Sequence, residues 1–231
     1  MNKIIIGLLF VTSLSQAGTI GKITAVKGRV FMMNAERNKP KEPVKVGMEV
    51  CNGCALYTGA DSFVIYQLSG GVLRYIPENS NKLIFYTNEM ARLDSYIENI
   101  PKYSAVKNTA DGINFHDEIG SAIKASREAF EQKDYVAALQ ALDKEKIRND
   151  YSEETAYIRA VSYLKLGLDD KAIPLFIWLL ESGAWEYRDL SRFGLFLSYS
   201  RVGDKDRSKE QFLAMSEKST FYRKMKELLG Q

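Results

Sequence analysis

The spacing of apolar positions changes once along this 231-residue chain. Between residues 20 and about 86 they fall in short alternating, β-branched and aromatic runs separated by turn residues. That pattern predicts strands at 20–26, 29–33, 62–68, 72–76 and 82–86. Gly28 divides the first two, a polar stretch with two prolines fills 34–43, and Gly70-Gly71 between two such runs is a hairpin signal. Beyond residue 117 the apolar positions recur at helical intervals. Helices are expected over 117–133, 135–144, 152–166, 170–181, 185–202, 206–216 and 222–229, broken at Lys133-Asp134, Gly167-Leu168-Asp169 and Gly203-Asp204-Lys205. Asp117 can cap the first of them. Between the halves, 90–97 has a short helical period that Pro101 stops, and the polar 107–112 ends in Asp-Gly, a linker.

The first residues belong to neither half. Lys3, the apolar 4–11 and Ser15-Gln16-Ala17 have the layout of a secretory signal peptide cut before Gly18. No cysteine follows the cut to carry a lipid, and the apolar run is too short for a stable span. The expected organisation is a signal peptide at 1–17, a β domain at 18–86, a linker with a short helix at 87–116, and a helical array at 117–231. A low-cysteine exported chain of this type is expected in a bacterial periplasm.

Both halves carry a family resemblance. Gly21, Ile23, Val26, Gly28, Val30, Val46, Gly47, Thr58, Gly59, Ser62, Gly71, Pro77 and Ser80 form a pattern that resembles the FecR domain over about residues 20–86. The resemblance implies a small jelly-roll-like, all-β periplasmic module. That family's usual Asp-Gly turn is Gly70-Gly71 here, and the chain has neither the transmembrane span nor the cytoplasmic arm of FecR. In the second half, Ala138 and Ala172 are 34 residues apart, and Tyr163 and Tyr199, like Gly167 and Gly203, are 36 apart. With Ala160, Phe176, Ser208 and Phe212 this is similar to the tetratricopeptide repeat, an all-α array of helix pairs. Two positions depart from it: Lys133 stands where Gly is usual, and Phe196 where a small residue is.

Cys51-Asn52-Gly53-Cys54 holds the only two cysteines. In an oxidising compartment the pair can close a disulfide across the Asn-Gly turn, and this is the expected role. A redox site would need a helix N-terminus at the first thiolate. Haem attachment would need a His where Ala55 stands, and zinc would need further ligands, with His116 the single histidine.

The net charge of +3 and the absence of a basic run give no nucleic-acid signature. Residues 18–116 carry 12 Lys/Arg against 9 Asp/Glu, and residues 117–231 carry 19 against 20. No phosphate-binding loop, dinucleotide fingerprint or nucleophile elbow is present. The carboxylate pairs at 153–154 and 169–170 fall at helix starts, where they complement the dipole. The expectation is a protein that is not an enzyme and uses no cofactor or metal. The repeat resemblance implies a concave groove for partner proteins, lined by Arg127, Phe130, Tyr157, Val161, Lys165, Phe193, Leu197 and Arg201. The expected function is a periplasmic adaptor or scaffold docking proteins of an envelope assembly. The alternative is a module for cell-wall glycan, using Tyr66 or Tyr75. Arg223, Lys224 and Lys226 on the last helix suggest a membrane surface as a lesser alternative to simple capping of the array.

Overall fold

A computed structural model describes residues 18–34, 41–98, 100, 118–143, 152–183 and 185–230. The expected signal peptide, most of the linker with His116, and the Asp117 cap lie outside the described residues. No described helix is long and apolar enough to cross a membrane.

Among the described residues the first half forms eight strands: β1 (Thr19–Lys27), β2 (Val30–Asn34), β3 (Glu42–Pro43), β4 (Glu49–Cys51), β5 (Cys54–Thr58), β6 (Phe63–Leu68), β7 (Leu73–Ile76) and β8 (Asn81–Leu83). They make two four-stranded antiparallel sheets, ordered β4-β1-β6-β7 and β3-β2-β5-β8. Both sheets supply one apolar core, with Ile23, Val50 and Val64 from the first and Val30 and Leu56 from the second. Alternation along each strand places these side chains inward. Two glycines are demanded by close approach. A Cβ on Gly21 would lie 2.2 Å from the Gln67 carbonyl oxygen, and one on Gly28, at φ +72°, would lie 2.3 Å from Ser62 Oγ. Ser62 Oγ instead accepts the Arg29 N–H at 2.8 Å, and Thr58 Oγ1 donates to the Pro77 carbonyl at 2.5 Å.

Eight helices follow among the described residues: α1 (Asn88–Glu98), α2 (Glu118–Glu131), α3 (Tyr135–Leu142), α4 (Glu153–Leu166), α5 (Asp169–Glu181), α6 (Trp185–Val202), α7 (Lys205–Leu213) and α8 (Thr220–Leu228). From α2 onward they stack as pairs over one core that includes Leu142, Tyr157, Phe176, Phe193 and Phe212. Asp134, Ser152, Asp204 and Ser219 cap helix starts by accepting backbone N–H bonds. The breaks at Gly167 and Gly203 have φ of +78° and +82°, and Lys133 takes the same left-handed conformation at +63°. Phe196 is buried where a small residue was expected, stacked on Phe193. Close approach in that pair falls to Gly194, whose Cβ would lie 2.5 Å from the Phe176 ring.

Helix α1 does not lie in an open linker. It packs against α4, α6 and α8 and buries Leu93, Asp94 and Ile97. Asp94, 1 % exposed, is met from three directions. Arg74 of β7 donates to both its carboxylate oxygens at 2.5 Å, Arg201 of α6 reaches Oδ1 at 3.3 Å, and the Tyr86 hydroxyl donates to Oδ2 at 3.1 Å. Arg201 also pairs with Asp169 at 2.6 Å and donates to the Leu164 carbonyl at 2.8 Å. Arg92 of α1 donates to the Glu227 carbonyl near the end of α8. Leu73 and Tyr75 of β7 pack on the helical core. The sheets, α1 and the array therefore share one buried ionic joint.

The cysteines sit in the turn from β4 to β5, the passage from one sheet to the other. Their sulfurs are 1.99 Å apart and their Cα atoms 5.3 Å apart. Asn52 in that turn accepts the Tyr86 N–H at 2.9 Å, and the Gly53 N–H donates to the Ile84 carbonyl at 2.8 Å. The turn thus holds the strand end that delivers Tyr86 to Asp94.

Two outcomes follow for urea unfolding. Asp94→Ala leaves two arginines facing a site without its anion and should cost about 3–5 kcal/mol. Reducing the disulfide opens a loop of only a few residues and should cost about 2 kcal/mol at most.

Candidate functional site

The eight residues expected to line a groove are committed within the chain. Tyr157, Val161, Phe193 and Leu197 are at most 1 % exposed and belong to the helical core. Phe130 is also buried, its ring 5.7 Å from that of Tyr135 and 6.1 Å from that of Tyr157. Phe193 stacks on Phe221 with centroids 4.8 Å apart. Arg127 pairs with Glu154 across α2 and α4 at 2.6 Å. Lys165 donates to the Ile97 carbonyl in the last turn of α1, and Arg201 holds Asp94 and Asp169. The face of the first helices in the array is occupied by α1. The physical reason is the amphipathic pattern of α1, which supplies Leu93 and Ile97 to this surface and Asp94 to its arginine.

Burial has a price at Lys165. Loss of solvation pushes its ammonium down to about 8, against the opposing pull of Glu98. Burial pushes the phenols of Tyr66, Tyr86 and Tyr135 up to about 12, and that of Tyr157 upward as well. At Tyr86 the Asp94 carboxylate adds to the rise.

The open site lies on the opposite side of α4. A cleft of about 1110 Å³ separates the β module from α3 and α5. Its β wall carries Asp61, Phe63, Tyr75, Pro77 and Glu78, with Lys27 at the end of β1. Its helical wall carries Leu139 and Asp143 from the α3 end, Arg159 and Tyr163 from α4, and Asp170, Lys171 and Trp178 from α5. Phe63 and Tyr75 rest together with centroids 5.6 Å apart. Glu78 accepts the Asp61 N–H at 2.8 Å and so shapes the loop before β6. Arg159 is buried and donates to the Leu142 carbonyl at 2.8 Å. Of the two tyrosines considered for a glycan surface, Tyr66 is buried in the β core, while Tyr75 lines this cleft.

Aromatic faces with interspersed charge give such a cleft the means to hold an amphipathic or charged ligand rather than a purely apolar one. No group of three or more His, Cys, Asp or Glu is placed to hold a metal among the described residues. On α8, Phe221 and Met225 are buried against the array, so the apolar side of that basic helix is already covered.

Lys165 and the tyrosines give stability a pH signature. The unfolded chain keeps the Lys165 proton up to its ordinary 10.5, while the folded chain releases it near 8. The unfolded state binds more protons between those values, so stability rises with pH across that window. The tyrosines act in the opposite sense. Their folded values lie above the ordinary 10.0, so their contribution is whole below that pH and is lost as pH climbs toward about 12. Urea midpoints measured across this range should rise and then fall, and Lys165→Met should abolish the rise alone. Comparison with known proteins finds no match to this chain among family models, curated proteins or solved structures.

Proposed function

We propose that the protein is a non-enzymatic adaptor of the bacterial envelope, with a FecR-like β module and a tetratricopeptide-like array, that docks a partner protein in the cleft between them. The observation carrying this reading is the cleft itself, an open, mixed aromatic and charged surface of about 1110 Å³ built by both modules. Its walls keep a set separation because β7 and α1 are tied to α6 through Asp94. A rigid docking surface limits the ordering cost of association. The inner face of the array supports the reading in another way. Since α1 packs on α4 and α6, partner contact is assigned to the cleft rather than to the eight positions first expected, five of which are core and three of which are engaged by polar partners within the chain. The signal-peptide pattern at 1–17 supports export to the periplasm.

The experiment is site-specific photo-cross-linking in intact cells. A benzoyl-phenylalanine placed at Tyr75 or Trp178 of the full chain should yield discrete protein adducts. The same probe at Leu213, 71 % exposed on α7, should not. Absence of cleft adducts, together with retention of the chain on purified cell wall through Tyr75, would instead favour the glycan module.

A further inference from the structure

We infer that the cleft seats a lysine or arginine side chain presented by the partner protein. This rests on the adaptor reading and gives its contact a chemistry.

Two tyrosines, one from each wall of the cleft, are the first observation. Tyr75 comes from β7 and Tyr163 from α4, and both line the cleft. Burial raises both phenols, and the Asp143 carboxylate adds to the rise at each, so Asp143 stands within electrostatic reach of both rings. Asp170 acts on Tyr163 in the same sense. The cleft is lined by Asp61, Glu78, Asp143 and Asp170 against Lys27, Arg159 and Lys171, and this acidic excess beside two aromatic rings suits a cation, because ring faces and carboxylates both attract positive charge.

The second observation is where Asp143 sits. It is the C-cap residue of α3, whose last turn carries no basic side chain. A carboxylate at the negative end of a helix is unfavourable, and a cation brought beside it relieves that cost. Arg159 takes one carbonyl at that helix end, from Leu142. Among the described residues, no Lys or Arg forms an ion pair with Asp143 or with Asp170. Both are exposed and free to meet an incoming charge.

A cation already tests one wall. Lys171 Nζ lies 5.6 Å from the centroid of the Tyr163 ring, so that ring face accepts an ammonium group. A guanidinium or ammonium entering from a partner takes the place of the Lys171 ammonium on that ring, with Asp143 and Asp170 in the same cleft as counter-charges. A glycan would use the rings but has no need of the carboxylates as charges.

The test is a titration of the full-length chain carrying Trp185→Phe, which leaves Trp178 in the cleft as the single indole reporter. The probes are tri-arginine, tri-lysine and tri-citrulline peptides and an N-acetylglucosamine hexamer. The cationic peptides should shift Trp178 emission, and citrulline should bind about tenfold or more weakly. The double variant Asp143→Asn/Asp170→Asn should weaken arginine and lysine binding by about the same factor while still unfolding cooperatively in urea. Added salt should lower the affinity further. Citrulline binding as tightly as arginine, or unchanged affinity in the double variant, overturns the assignment. If no peptide binds while protein adducts still form at Tyr75, the cation assignment falls and the adaptor reading stands. If the hexamer alone binds and no protein adduct forms, both fall.

Discussion

The Asp94 carboxylate is the constraint on which the rest of the structure depends. It is buried on a short helix, yet three polar groups from three elements converge on it: Arg74 of β7, Tyr86 from the strand exit and Arg201 of α6. A buried ion pair contributes little over a well-packed apolar contact, because desolvation offsets most of the attraction. Its larger effect is on geometry. A second register of α1 would leave Arg74 and Arg201 uncompensated, and that cost selects one arrangement of the β module on the array. Lys165, donating to the Ile97 carbonyl, fixes the other end of the same helix. The connection runs back to the disulfide turn, since Asn52 accepts the N–H of Tyr86. Cys51–Cys54 thus stabilises the path by which one ligand of Asp94 arrives, apart from any redox chemistry.

Much of the local structure was legible in the sequence because it depends on local rules. Alternation marked the strands around Val64 and Tyr75, and Gly28 marked the turn that Ser62 closes. Positive-φ glycines marked the helix breaks at 167 and 203, and Asp204 caps the helix that follows the second. Lys133 shows the limit of that reasoning: it adopts the left-handed conformation without being glycine. Phe196 shows another, since the room expected there is provided by Gly194 facing Phe176.

The site was much less legible, for a physical reason. Helix α1 has three buried positions in a short segment before a proline, which reads as a connector. Nothing in its own spacing says that it will lie across α4, α6 and α8. Once it does, Lys165 and Arg201 become internal partners, and the residues expected to face a ligand become core. The cleft is assembled from β1, β6, β7, α3, α4 and α5, with Asp143 and Tyr75 far apart in the chain. Of its residues the sequence marks only Tyr75 for binding, as a ring for sugar, while Pro77 and Tyr163 read as fold markers and Asp170 as a helix-start carboxylate. Asp143 gave no such signal, because the expected helix ran on to Lys144, whereas α3 ends at Leu142.

The central claim is that the buried joint makes the two modules one body and so gives the cleft a fixed width. The most direct measurement is the distance distribution between spin labels at Lys82 on β8 and Lys209 on α7, both exposed. The account predicts one narrow distribution in the wild-type chain that broadens when Asp94 is replaced by Ala. A broad distribution in the wild-type chain, unchanged by that substitution, would contradict it.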